Sequence, residues 1–205
     1  MNSGMSMGTD GGDWSQRLAQ RLFEQRVVLL SGTLNDLTGT RAAAELMTLD
    51  AEGDTAVSLR IDCGEGSMGV ALTLMDVIEL LGVPVRALCM GQVGGPAVGV
   101  LAVCRHRAAM PSTRFLMREP RTQMEATARE VARWAELRAD ERQRFCERVA
   151  RAVGKPAEVV AEDLSRGHFM SATEALAYGL IDEICRPEAE IHQIPGPPIG
   201  FRPRS

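Results

Sequence analysis

Three short strand-like runs, Val27–Leu30, Val57–Ile61 and Val85–Met90, are each followed by a segment of helical periodicity, and this alternation restricts the chain to few folds. Runs this short suit buried strands rather than helices. Asn35 or Asp36 is placed to cap a helix running to about Asp50, with Leu46, Met47 and Leu49 on its buried side. A second helix follows the turn Cys63-Gly64-Glu65-Gly66-Ser67 and stops near Leu81, before Gly82-Val83-Pro84. A third opens after Gly91-Gln92-Val93-Gly94-Gly95-Pro96 and carries Val98 to Val103. Strands joined through helices pair in parallel, because each helix crosses back over the sheet. The expectation is an α/β fold of repeated βα units.

The flanking segments extend this reading. Trp14–Gln25 has a helical spacing in Trp14, Leu18, Leu22 and Phe23. Thr113–Met117 reads as a strand, and Arg105 and Arg107 as a solvated strand end. Thr122–Val153 reads as one long charged helix with Met124, Val131, Trp134, Leu137, Phe145 and Val149 as its apolar stripe. Shorter helices near Pro156–Leu164 and Ala172–Tyr178 precede a last strand over Leu180–Cys185. The ends have tail-like composition. Residues 1–13 are rich in Gly, Ser and Met, and 187–205 carry Pro195, Pro197, Pro198 and Pro203. The expected organisation is a single domain over 14–186 between flexible tails.

Charge and composition exclude several function classes. A net charge of −4 leaves no basic excess for binding phosphates, so nucleic acid is not an expected partner. The five cysteines form no C-x-x-C pair, and with three histidines they show no metal-ligand spacing; no metal or cofactor is expected. Their apolar surroundings suit buried thiols in a reducing compartment. No run approaches a membrane span and the start lacks a secretory pattern, which points to the cytoplasm.

In a parallel sheet the loops after the strands gather at one edge, so the two glycine turns are expected close together. Neither has a nucleotide-binding glycine pattern. Converging backbone N–H groups suit an oxyanion hole better.

Several blocks carry a family resemblance. Cys89-Met90-Gly91-Gln92, with its small-residue turn and apolar helix, resembles C-M-G-Q-A-A-S-M-G of the ClpP family. Met110–Pro120 resembles L-P-N-S-R-x-M-I-H-Q-P, and Gly167–Asp182 resembles D-R-F-L-S-A-x-E-A-x-x-Y-G-L-V-D. Ile61–Ser67 is similar to I-N-S-P-G-G-S. The blocks fall in family order between roughly Phe23 and Cys185. The resemblance implies a ClpP/crotonase-like fold with a long handle helix, here Thr122–Val153. It also implies heptameric rings with homologous ClpP subunits and an AAA+ unfoldase as partner.

The departures bear on chemistry. The resemblance places the family's nucleophilic Ser at Gly95, its His at Arg118 and its Asp at Gly167. Glycine offers no nucleophile, a guanidinium cannot accept a proton, and a second glycine offers no orienting carboxylate. The oxyanion-hole equivalents are Gly66 and Pro96, and Pro96 has no N–H to donate. Glu65 stands where the family has glycine, which puts an acid beside Arg118 and allows an ion pair across the cleft. Arg121–Ala128 lacks the family's glycines and reads as helix-compatible.

The reading is of a catalytically inactive subunit with a structural or regulatory role in a ring assembly. Two alternatives stand beside it. One is an active enzyme, using crotonase-type acyl-CoA chemistry or a relocated site drawn from Ser67, Cys63 or Ser165 with His106, His168 or His192. The other is a module that grips peptides without cutting them. His168, where the family has arginine, suits a surface or interface role. The tripeptide Ile199-Gly200-Phe201 matches one that the family's unfoldases insert between ClpP subunits, which suggests a tail that competes for that pocket.

Overall fold

A computed structural model of the chain describes residues 18–120 and 127–185. After a helix over 18–24 (α1) come β1 (Val27–Leu34), α2 (Asp36–Glu52), β2 (Val57–Gly66), α3 (Met68–Leu80), β3 (Val85–Gly94) and α4 (Ala97–Ala102). Then follow β4 (His106–Ala109), β5 (Arg114–Met117), α5 (Ala128–Val153), α6 (Ala157–Arg166), β6 (His168–Ser171), α7 (Ala172–Tyr178) and β7 (Glu183–Ile184). The sheet runs β1-β2-β3-β4-β7, with β5 joined to β3 and β6 joined to β5. Every pairing is parallel except β5 with β6. The α/β expectation and the repeated βα units hold.

The fork in β3 positions the site. Its first part, Arg86–Cys89, pairs with β4, and its far end, Gln92–Gly94, pairs with β5. Gly91 makes the bend at φ +53°, in the left-handed region that favours glycine. A Cβ there would lie 2.5 Å from Asp62 Oδ1. That carboxylate accepts from the Gln92 backbone N–H at 3.0 Å, in the stretch where the β2–β3 register shifts.

Helices cover one face of the sheet, where Val57, Leu59, Ile61 and Cys63 of β2 are buried, while the alternating residues Ser58, Arg60 and Asp62 are not. α2 buries Ala42, Ala43, Leu46 and Leu49, while Met47 points out at 48% exposure, contrary to its expected place on the buried side. Met47 follows Leu46 by 100° of helical rotation, so the two cannot share a narrow stripe. The long helix splits its own stripe. Phe145 and Val149 are buried against the core, whereas Val131, Trp134 and Leu137 are exposed by 48%, 44% and 48%. α4 reaches the Phe145 ring because Gly99 has no Cβ, which would otherwise collide with it. Arg148 binds α5 to α3 through Asp76 at 2.6 Å and Glu79 at 2.9 Å.

Several boundaries differ from expectation. α5 begins at Ala128 rather than 122, because Thr127 is an extended N-cap in a capping box with Glu130. Thr127 N–H donates to Glu130 Oε2 at 2.8 Å, and the threonine Oγ1 accepts from Glu130 N–H at 3.4 Å. Residues 121–126, and with them most of the glycine-free stretch, lie outside the described residues. So do Trp14, both expected tails, His192 and the Ile199–Phe201 tripeptide. The last strand shrinks to Glu183–Ile184, since Leu180 and Ile181 pack into the core before it. β6 was not anticipated. It is a short edge strand held by β5, and nothing local distinguishes it from a helix–helix connection. No described helix is long and apolar enough to cross a membrane.

Candidate functional site

The glycine-rich ends of β2 and β3 meet at the carboxyl edge of the sheet. A Cβ on Gly94 would come within 2.6 Å of the Gly64 carbonyl oxygen, and one on Gly64 within 3.1 Å of the Gln92 side chain. The expectation that the turns lie together is met. Beside them opens a cleft of ≈ 360 Å³ whose lining includes Leu34, Glu65, Ser67, Gly95, Pro96, Arg118 and Arg138. Parallel sheets place their ligand sites at this edge.

Gly95 is the pivot between β3 and α4. Its N–H donates to Leu116 O at 2.8 Å, which fixes it to β5, and its φ is +52°. Pro96 then enters the first helical turn at φ −62°, ψ −24°. The pairing is physically coherent, because a residue before proline avoids the right-handed helical region and proline fits where helix N–H groups go unpaired. Gly66 has a packing reason to be glycine, since any Cβ would collide with Leu34.

Arg118 follows β5 directly. Its carbonyl oxygen would lie 3.4 Å from a Cβ on Gly95, so the two positions adjoin. The antiparallel ladder between β5 and β6 ends at the pair Met117 and His168, so Arg118 leaves it as Gly167 enters it. Gly95 and Arg118 thus adjoin at the cleft, whereas Gly167 lies outside its lining. Gly167 also closes α6 in a left-handed C-cap, its N–H donating to Asp163 O at 3.1 Å.

The Arg118 side chain turns into the cleft and donates from Nη2 to Glu65 Oε1 at 2.8 Å. This ion pair spans from the end of β5 to the turn of β2. The guanidinium is one-third exposed and the carboxylate 71% exposed, so water screens the attraction strongly. Glu119 forms the adjoining wall. It accepts from Arg142 Nε at 2.6 Å, and Arg142 also donates to Ala161 O at 3.0 Å, which ties α5 and α6 to the cleft.

Among the described residues the other candidate nucleophiles and bases do not assemble. Burial, chiefly, pushes the Cys63 thiol up, and its Sγ donates to Glu65 O at 3.4 Å, so it is no ready thiolate. Ser67 lines the cleft without a side-chain cap on α3. His106 sits on β4 facing Glu183 at 3.7 Å. His168 Nδ1 lies 3.1 Å from Asp163 Oδ1, while Tyr178 donates to the other Asp163 oxygen at 2.7 Å. That Asp–His contact was not foreseen, because its partners stand on α6 and β6 and only the C-cap turn at Gly167 brings them together. Neither of the described histidines lines the cleft, and Ser165 is an exposed residue of α6. Among the described residues no His, Cys, Asp and Glu trio converges to hold a metal ion.

A mostly parallel sheet under helices, with a long α5 and two glycine turns meeting above a cleft, defines a ClpP/crotonase-like fold. Residues 10–188 match the Clp protease family, and the chain belongs to that family of serine peptidases.

Proposed function

We propose that this chain is a non-cleaving subunit of a Clp protease-type ring, with a structural or regulatory role. One observation supports the reading: at the positions that the resemblance assigns to nucleophile and base, Gly95 has no side chain and the Arg118 guanidinium is engaged by Glu65. Acyl transfer needs an oxygen or sulfur to attack the carbonyl and a neutral base to receive its proton. Gly167 contributes no carboxylate to orient a base. Pro96 removes one oxyanion donor, a loss of about 2.7–4 kcal/mol of barrier stabilisation in comparable sites.

Intact packing around the emptied centre favours a role in assembly. The exposed apolar half of α5 (Val131, Trp134 and Leu137) is surface that a neighbouring subunit would remove from water. The family's mode of assembly makes rings with homologous ClpP subunits, served by an AAA+ unfoldase, the expected context.

The test combines two measurements on the purified full chain. Fluorophosphonate labelling should be nil, and native mass analysis with co-expressed ClpP homologues should show mixed rings. Stoichiometric labelling or peptide turnover with contaminating protease excluded would defeat the proposal.

A further inference from the structure

Two arginines, Arg118 and Arg138, line one cleft with most of their hydrogen-bonding capacity uncommitted among the described residues. Each guanidinium carries five N–H donors. Arg118 spends one of them, end-on, on Glu65. Arg138 approaches only Glu141, at 3.8 Å, a Coulombic contact longer than a hydrogen bond. The remaining acid of the lining, Glu119, is engaged by Arg142 at 2.6 Å. The floor and sides add Leu34, Pro96 and Pro120, and the Ser67 hydroxyl caps nothing.

From this arrangement we infer that the emptied cleft is a receptor for a carboxylate, and that Glu65 is its tethered competitor. Guanidinium forks match carboxylates in two-point contacts that a single end-on bond does not use. A ligand carboxylate can therefore displace Glu65 and gain a better geometry on Arg118, with Arg138 adding charge from α5. Glu65 yields readily because it is 71% exposed and returns to water. The ≈ 360 Å³ space has room for roughly a dozen waters' worth of ligand, which fits a short chain end or a small organic acid. The inference rests on the non-cleaving reading, since a bound chain end must persist. It adds what the site holds in place of a substrate.

The experiment is calorimetric titration of the full chain with three probes: N-acetyl-tetra-alanine as the free acid, its C-terminal amide, and glutarate. The free acid should bind about tenfold more tightly than the amide, with affinity falling as salt rises. Arg118→Gln should weaken acid binding about tenfold, and Arg118→Lys less, because it keeps the charge but loses the fork. Glu65→Gln should tighten it severalfold, a gain that misfolding cannot produce. Peptide acid above glutarate identifies a chain end as the ligand, and the reverse identifies a free acid; either supports the site. Equal affinity for acid and amide, or weaker binding by Glu65→Gln, overturns it while leaving the non-cleaving role intact. Cleavage of the tetrapeptide, seen by mass analysis of the mixture, would instead defeat the function on which the inference rests.

Discussion

On the non-cleaving reading, replacing Gly95 with serine supplies a nucleophilic oxygen and asks whether its neighbours can use it. The side chain has room, since an ideal Cβ lies 3.4 Å from the Arg118 carbonyl oxygen and 3.9 Å from that of Gly64. The penalty is in the backbone. At φ +52° an L-residue is disfavoured by about 1–2 kcal/mol. For a chain of this size that lowers Tm by about 2–8 °C. The new hydroxyl should nevertheless stay inert, because Arg118 cannot take its proton and Gly167 cannot orient a base. Loss of the base alone in a serine triad costs about a millionfold in turnover, and such losses do not simply add. The assay is fluorogenic peptide hydrolysis with fluorophosphonate labelling, applied to Gly95→Ser and to a variant that adds Pro96→Ala, Arg118→His and Gly167→Asp. Nothing lies within 4 Å of a Cβ on Gly167, and aspartate tolerates its φ of +75° better than most residues. Turnover is expected only with all four changes. Hydrolysis or labelling by the single variant would refute the mechanism.

Three further outcomes follow from packing and charge. Phe145→Ala should destabilise by about 3–5 kcal/mol in urea unfolding, since the ring is fully buried against Gly99 of α4 and cannot be replaced by collapse of a helix already in contact. Arg107 beside Asp182 holds that carboxyl below its usual range through the side-chain hydrogen bond, aided by the Arg107 backbone N–H. A depressed carboxylate stabilises the fold above its unfolded value of about 3.9 and loses that contribution as pH falls through the folded value. Asp182→Asn should therefore lower stability by about 1 kcal/mol at pH 7, after allowance for screening, and the gap to wild type should narrow as pH falls below about 3.9. Burial pushes the Cys104 thiol up to about 12 and raises Cys89 as well, while Cys63 and Cys146 are also buried. A thiol reagent at pH 8 should thus modify Cys185 alone in the native protein, and all five after unfolding.

What each residue at the candidate site can offer chemically was legible, because it depends on residue identity. A glycine has no side chain in any fold, a proline has no N–H, and a guanidinium stays charged. The βα rhythm was legible for the same local reason, since strand-length runs, capping residues and glycine stops are properties of neighbours in the chain. Boundaries set by distant partners were not. β6 exists because β5 supplies its ladder, and β7 because β4 does. The start of α5 turned on one hydroxyl–carboxylate exchange between Thr127 and Glu130, where propensity alone allowed the helix to begin earlier. The long stripe looked continuous, yet only its second half meets the core.

The order of residues alone determines what Gly95, Pro96 and Arg118 can offer chemically, because bonding capacity is covalent and travels with each side chain. Tertiary structure alone decided that Glu65 and Arg118, 53 positions apart, meet at 2.8 Å across the cleft. Contact between groups so distant in the chain is set by how β2, β3 and β5 are joined in the sheet, and that joining depends on the packing of the whole core.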